Sequence, residues 1–337
     1  MADFSEATLS QAAALLEGSP SWTIFTHQKI DGDALGSASA LFEAGRLQGK
    51  RVAWMGPDPA LPQAYLFLSH TGDYRCFDGA FAFDGTDLYI FLDSANETRS
   101  VGGLDARAPE ARILNIDHHE DNSLYGTLNC VDPSSSSTSE LVLRVMQAGG
   151  WALSLDIAES LYVGIWTDTG GFAHSNATAR THRLAADLLE LGVDPARIDD
   201  RINQTRSPEG MALWGRALSH IRVFGPRGEF AIAWLSRADF GETGAASSET
   251  DGLPTYLMRL RGVCLTVLLS EMESGGVKAS FRSTEGIFPA AEMARRLGGG
   301  GHPRAAGATL DGCLSDWLAA IPPMLEARYA EWAAAHR

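Results

Sequence analysis

Several segments of this chain share one layout, a short apolar run that stops at an Asp or a His. Thr23-Ile24-Phe25-Thr26 runs into His27, with Asp31 and Asp33 close behind. Leu88-Tyr89-Ile90-Phe91-Leu92 runs into Asp93. Ala111-Arg112-Ile113-Leu114-Asn115-Ile116 runs into Asp117-His118-His119 and then turns into the polar Glu120-Asp121-Asn122. Near-continuous apolar runs are what strands buried on both faces of a parallel sheet require. Helical patterns alternate with them, so the chain reads as α/β, a mostly parallel sheet with helices on both faces. Open α/β sheets carry their chemistry outside the carboxyl ends of the strands. His27, Asp31, Asp33, Asp93, Asp117, His118 and His119 are therefore expected to converge on one crevice. That many carboxylates share a site only when cations neutralise them.

Along the chain, residues 7–18 predict a short amphipathic helix. Asp31-Gly32-Asp33-Ala34-Leu35-Gly36-Ser37 opens a second helix, reaching about Gln48. Gly32 permits a tight turn there, and the small residues Gly36, Ser37, Ala38 and Ala40 permit close packing. Residues 51–55 read as a strand, 56–87 as mixed loops, and 128–131 as a further short strand. The serine run 134–139 ends in Ser/Thr caps directly before an apolar-periodic helix from Glu140. Residues 155–166 predict a helix running into Thr167-Asp168-Thr169-Gly170-Gly171, and 179–191 another, with Asp194-Pro195 opening the next. Residues 208–223 read as a long helix joining two domains. From Phe230 onward the pattern changes to strands at 230–235, 263–271 and 277–282. Residues 241–250 read as a mobile loop. A helix over 289–297 ends in Gly298-Gly299-Gly300-Gly301-His302, followed by a short strand at 308–310 and a terminal helix at 314–334. The expected division is a first domain over 1–205, a connecting helix over 206–227, and a smaller α/β domain over 228–337 across a cleft.

Composition narrows the function. The 337 residues are 45% hydrophobic and 20% charged, a globular balance with length enough for two domains. A net charge of -15 argues against long duplex nucleic acid, which needs a broad basic surface. A short anionic substrate held by a few arginines and cations is compatible with it. No stretch reaches the roughly 20 apolar residues that span a bilayer, and the first residues lack a signal-peptide pattern. Cys76, Cys130, Cys264 and Cys313 form no CxxC and read as reduced thiols of a cytoplasmic protein.

Each motif has a plainer alternative. An Asp-x-Asp such as Asp31 and Asp33 also caps helices, but His27 lies four residues earlier. The joint occurrence of Asp93, Asp117-His118-His119 and Asp168 makes coincidence a poor account. Mixed carboxylate and imidazole donors suit Mn²⁺ better than Zn²⁺, whose structural sites favour Cys and His. Two divalent ions about 3.5–4 Å apart can activate a water and clamp a phosphate for in-line attack. The glycine run would serve as a helix C-cap, yet one glycine suffices for that, and four before a His suggest close approach of backbone to an anion. Arg282, at a strand end, is either an exposed charge or a forked partner for phosphate. His174, His182 and His220 read as structural or surface residues.

Taken together, the motifs resemble the DHH phosphoesterase superfamily, in the branch with a DHH-associated C-terminal domain. The most similar subgroup is the bacterial nanoRNase/pAp phosphatases, relatives of the RecJ exonuclease. The resemblance is carried by His27-x-x-x-Asp31-Gly32-Asp33-Ala34-x-Gly36-Ser37, by Asp93, by Ile116-Asp117-His118-His119, and by Gly164-x-x-Thr167-Asp168-Thr169-Gly170. In the second domain it is carried by Val277-Lys278-x-Ser280-Phe281-Arg282-Ser283 and by Gly298-Gly299-Gly300-Gly301-His302-x-x-Ala305-Ala306-Gly307. Ile30 stands where the family usually has Pro. The resemblance implies that His27 and Asp31 bind one metal ion, that Asp33, His118 and Asp168 bind another, and that Asp93 bridges them. Mn²⁺ is the expected ion, with Mg²⁺ as the alternative. It further implies that Asp117 orients an imidazole rather than ligating directly, and that His119 faces the scissile phosphate. Arg282, Ser283, Gly299, Gly300, Gly301 and His302 would contact substrate. The implied partners are short single-stranded oligonucleotides or small nucleotide phosphates, without membrane, in a homodimer. The implied activity is hydrolysis of short phosphodiesters to mononucleotides, and of pAp to AMP. Rival readings are a c-di-AMP or pApA phosphodiesterase, an inorganic pyrophosphatase, which the glycine segment opposes, and a nucleotide sensor, which the complete ligand set opposes.

Overall fold

The computed structural model describes residues 4–77, 86–100, 111–204, 206–284, 288–301 and 303–335. The chain falls into two units, residues 1–205 and 206–337. In the first, the elements run α1 (Glu6–Glu17), β1 (Ser21–Phe25), α2 (Gly32–Leu47), β2 (Arg51–Gly56), β3 (Tyr74–Cys76), β4 (Leu88–Leu92), β5 (Ile113–Asp117), β6 (Leu128–Val131), α3 (Thr138–Ala148), α4 (Leu155–Asp168), α5 (Ala179–Glu190) and α6 (Pro195–Asn203). The six strands form one parallel sheet in the order β3-β2-β1-β4-β5-β6. The order reverses direction between β1 and β4, the switch point where open α/β sheets leave a crevice.

Every residue of β1, β4 and β5 is buried. Trp22, Ile24, Leu88, Ile90, Leu92, Leu114 and Ile116 share one core with the apolar faces of α1 through α4. Phe25, Tyr89, Phe91 and Ile113 point the other way, into an aromatic cluster that Phe77 and Tyr125 join. β3 was not legible in the loop-like stretch 56–87. Its three residues pair with Trp54, Met55 and Gly56 at the sheet edge, and Tyr74 packs edge-on to Trp54 at 5.7 Å.

The tightest packing is where α2 crosses α4. A Cβ on Gly36 would collide with the Ser160 carbonyl, and one on Gly164 with Ser139 at the start of α3. These glycines let the two helix backbones touch. α2 begins at the Asp31–Asp33 turn and α4 ends at Asp168, so this contact sets the distance between those carboxylates.

The second unit runs α7 (Pro208–Ser219), β7 (Arg222–Phe224), β8 (Phe230–Leu235), α8 (Arg237–Thr243), α9 (Leu253–Leu257), β9 (Leu265–Glu271), β10 (Val277–Ser283), α10 (Ala290–Arg296), β11 (Gly300–Gly301), β12 (Ala305–Leu310) and α11 (Leu314–Ala335). Its sheet is mixed, in the order β11-β12-β10-β9-β8-β7, with β8 and β9 parallel and the other pairs antiparallel. Phe230, Val267, Val277 and Phe281 face α10 and α11. Ala233, Leu235 and Leu268 face α7 and α9.

Two expectations change here. Residues 241–250 are not a loose loop. Ser236 and Asp239 form a reciprocal capping box that starts α8, and a 3₁₀ turn over Ser247–Thr250 follows, with the Glu249 carbonyl accepting from Trp214 Nε1 at 2.9 Å. The small, polar composition that reads as loop is local cap chemistry instead. The helix from Pro208 ends at Ser219 rather than reaching Val223, because residues 222–224 pair antiparallel with β8 and Gly225 and Gly228, both at positive φ, turn the chain between them. Leu213 and Ala217 of α7 belong to the second unit's own core.

The α2–α4 contact yields a paired test by denaturant unfolding. Gly36→Ala is expected to destabilise by about 1–3 kcal/mol through overpacking. Gly241→Ala, at an α8 position with nothing near its would-be Cβ, is expected to stabilise by about 0.5–1 kcal/mol. Neutral behaviour of Gly36→Ala would mean that the helices do not touch there.

Candidate metal centre

The residues beyond the carboxyl ends of β1 and β4 are His27 and Asp93, on either side of the switch point. His27 is buried and donates Nδ1–H to the Gln28 carbonyl at 2.8 Å. That bond leaves Nε2 as the donor atom, 3.3 Å from Asp93 Oδ2 and 3.9 Å from Asp31 Oδ1. Asp31 is the N-cap of α2 and accepts from the backbone N–H groups of Asp33 and Ala34, both at 3.1 Å. Asp93 has φ 56°, in the left-handed region that a short polar side chain tolerates. Its N–H donates to the Ile116 carbonyl at 3.1 Å, and its Oδ1 accepts from Thr138 Oγ1 at 3.0 Å.

β5 delivers the Asp-His-His triplet. Asp117 is fully buried and accepts from the His118 N–H at 2.8 Å, His119 Nδ1 at 2.7 Å and Asn122 Nδ2 at 2.6 Å. Its oxygens are used up in orienting this corner. His118 Nε2 lies 3.6 Å from Asp93 Oδ1 and 3.7 Å from Asp168 Oδ2. Asp33 is buried, and its two oxygens accept from the Thr138 and Ser139 N–H groups at 2.6 and 2.8 Å. These are the first N–H groups of α3, where a helix favours an anion.

Three sets of donor atoms therefore lie within 4.8 Å of one another, namely His27 with Asp31 and Asp93, Asp33 with His118 and Asp168, and Asp93 with His118 and His119. Asp93 belongs to two of them. Carboxylate and imidazole donors gathered in this way fit divalent cations. The electrostatics agree. Burial, reinforced by Asp93 and Asp168, pushes the Asp33 carboxyl well above the usual range. Burial also carries Asp168 up to about 6, with His118 opposing and Asp93 and Asp31 adding to the rise. Burial alone would lower the His27 imidazole, but Asp31 and Asp93 outweigh it and raise it to about 10. The hydrogen bond it donates to Asp117 raises His119 to about 9. The pocket holds protons against its own negative charge, and a cation would displace them.

The sequence reading missed the donors behind these ligands. Thr138 and Ser139 were visible only as caps, and Asn122 and Asn176 not at all. Asn176 donates Nδ2 to the Ser136 carbonyl at 2.9 Å and to the Asp168 carbonyl at 3.2 Å.

The expected substrate contacts lie in the second unit. Arg282 donates Nε–H to Thr255 Oγ1 at 3.2 Å and Nη1–H to the Phe281 carbonyl at 2.9 Å. The Ser283 hydroxyl donates to the Pro303 carbonyl at 2.8 Å and accepts from the Ala290 N–H at 3.1 Å, so it pins the start of α10. Gly299 and Gly301 have a packing reason of their own, since a Cβ on either would strike the β12 backbone, and Gly301 has φ 139°. Gly300 faces open space. His302 lies outside the described residues.

Comparison with known proteins follows the same division. Residues 21–165 match the family model described as DHH family, N-terminal domain, and residues 228–327 match the DHHA1 domain. The chain is 36% identical over 291 residues to the bifunctional oligoribonuclease and PAP phosphatase NrnA of Thermus thermophilus, covering 86% of this chain and 84% of that protein. It is 30% identical over 297 residues to the protein of the same name from Bacillus subtilis, covering 86% and 89%. Among solved structures, an exopolyphosphatase-related protein from Bacteroides fragilis superposes with a TM-score of 0.86 at 26% identity over 98% of each chain.

The raised groups set a pH dependence. A group whose value is higher in the folded than in the unfolded chain adds stability below its unfolded value and loses it as pH rises through its folded one. For Asp168 that loss runs from 3.8 to about 6, and for His119 from 6.5 to about 9. The metal-stripped protein is therefore expected to melt at lower temperature near pH 8 than near pH 5, with Mn²⁺ raising the melt more at the higher pH. A metal-stripped melt that rises over this range, measured by circular dichroism, contradicts the clustering of uncompensated carboxyls.

Proposed function

The chain belongs to the DHH family and carries that family's DHHA1 domain, and from this membership we propose a metal-dependent phosphoesterase that hydrolyses short oligoribonucleotides to mononucleotides and pAp to AMP. The observation that carries the reading is the pair of donor sets His27–Asp31–Asp93 and Asp33–His118–Asp168 at the sheet's switch point. We assign one divalent ion to each set and Asp93 to both, with Mn²⁺ as the native ion and the cytoplasm as the compartment. Among the described residues no helix is long and apolar enough to cross a membrane. A homodimer is the assembly the family resemblance suggests.

Bound there, divalent cations supply Lewis acidity toward phosphoryl oxygens and make a water acidic enough to attack phosphorus. The protein groups do the rest. His27 keeps Nε2 turned inward because Nδ1–H is tied to the Gln28 carbonyl. Asp117 holds the His119 ring through Nδ1 and keeps it protonated at neutral pH. An imidazolium so placed donates a hydrogen bond from Nε2 to a phosphoryl oxygen as charge builds there. Arg282 is the candidate partner for a second phosphate, and its planar fork suits that role better than a lysine. Ser283, Gly299, Gly300, Gly301 and His302 remain candidate substrate contacts around it.

Two substitutions test the division of labour. Asp93→Ala removes the residue we assign to both ions, so metal analysis is expected to find both ions lost, with one ion retained counting against the bridging assignment. Arg282→Ala is expected to keep its metal and to lose about ten- to a hundred-fold in kcat/KM on a dinucleotide, the worth of one charged contact of about 1.5–3 kcal/mol. A nitrophenyl phosphodiester, which has no distal phosphate, should be cleaved almost as before. Equal loss on both substrates would assign Arg282 to the reaction centre or the fold.

A further inference from the structure

The run Ser134-Ser135-Ser136-Ser137-Thr138-Ser139 does more than cap α3. Ser137 is the N-cap, its hydroxyl accepting from the Glu140 N–H at 3.0 Å. Thr138 and Ser139 then turn their N–H groups onto Asp33, and Thr138 adds its hydroxyl to Asp93 at 3.0 Å. One helix terminus thus holds two of the carboxylates assigned to metal.

That terminus is in turn held from behind. Glu140 has no exposed surface. It accepts from the Ser136 hydroxyl at 2.6 Å, the Ser136 N–H at 3.3 Å, Thr181 Oγ1 at 3.0 Å and Arg180 Nε at 2.6 Å. Arg180, from α5, also donates Nη2–H to the Ser134 carbonyl at 2.9 Å. Asp132 accepts from the Ser134 and Ser135 hydroxyls at 2.6 and 3.0 Å and from Arg144 at 3.0 Å. Asn176 links the Ser136 carbonyl to Asp168, the carboxylate at the end of α4. The serine segment is thereby tied on its outer side to two ion pairs and on its inner side to three ligand carboxylates.

We propose that Glu140 and Arg180 are positioning residues for the metal centre, fixing the α3 terminus that aims Asp33 and Asp93. The inference rests on the metal-binding reading above. A buried carboxylate satisfied by an arginine and three donors is costly to remove singly, because its partners are left unpaired. Its location explains why the chain keeps it. Glu140 touches no proposed ligand, yet each of its protein partners is in the serine segment or in α5 beside it. Loss of the Glu140 charge would free Ser136 and Arg180, the first turn of α3 would shift, and the two N–H groups would no longer meet the Asp33 oxygens. Groups that orient metal ligands from behind typically cost 10- to 100-fold in metal affinity when removed.

The test is Mn²⁺ binding to the metal-stripped full chain by titration calorimetry, beside a circular dichroism melt. Glu140→Gln, which keeps shape but loses charge and the bond to Arg180, is expected to raise the Kd for Mn²⁺ by about 10- to 100-fold while remaining folded. Arg180→Lys, at a half-exposed position, is expected to raise it by several-fold and decides the matter if Glu140→Gln does not fold. A merely structural pair would lower the melting temperature and leave the Kd within about twofold, and that result overturns the inference. If the wild-type chain itself binds no Mn²⁺, the metal reading falls and this inference with it. Wild-type binding with unchanged affinity in both variants overturns this inference alone.

Discussion

Asp33, Asp93 and Asp168 sit close together, Asp33 at 1% and Asp93 at 2% exposure and Asp168 half-buried beside them. Burying like charges is among the most costly things a fold can do, and the first unit is arranged around that cost. Part of it is offset by fixed donors. Asp33 lies on the N-terminus of α3, Asp31 caps its own helix, and Asp117 has three donors. The remainder is met by raised proton affinity, and a proton is a poor substitute for a divalent ion. Charge of this kind makes the pocket strongly selective for cations without any single residue being unusual.

Holding carboxylates at short range also requires a stiff frame. A parallel sheet supplies it, because β1, β4 and β5 are buried along their whole length and their ends cannot fray independently. The glycine contact between α2 and α4 supplies the rest. A side chain on Gly36 would push α2 away from the α4 backbone, and one on Gly164 would strike Ser139 and the Asp33 carboxylate. A metal site with short donor distances does not absorb such a change.

The clustering of these side chains was legible in the sequence because its logic is local. A strand end followed by Asp or His is visible without any tertiary knowledge, and His27, Asp93 and Asp117-His118-His119 are of that kind. What it did not carry is the layer behind. Thr138 and Ser139 hold Asp33 through backbone N–H groups, which every residue but proline has, so their side chains do not announce that contact. Glu140 looks like an ordinary first-turn acid until Arg180, forty positions later, is found beside it. The second unit misled in the opposite direction. Small polar residues around Gly241–Thr250 suggested looseness, whereas the reciprocal cap of Ser236 and Asp239 and the bonds that Trp214 Nε1 and Arg206 Nη1 donate to the Glu249 carbonyl fix that segment. The glycine run suggested an anion cradle, yet two of its members are required by close approach to β12 alone. Both uses can coexist, since Gly298 and Gly300 face open space.

Arg282, proposed above as the partner of a second phosphate, is already held in place by the fold. Its Nε–H is given to Thr255 and one Nη1–H to the Phe281 carbonyl, which fixes the guanidinium plane against the end of β10. By donor count a guanidinium has five N–H groups, so three remain beyond these two bonds. Burial holds its proton affinity below the ordinary value, with Asp251 opposing. Much of the side-chain entropy that a free arginine loses on binding has already been given up in the fold. A lysine at the same position could not make the two restraining bonds and still present a fork, so the contact depends on the shape of the group more than on its charge.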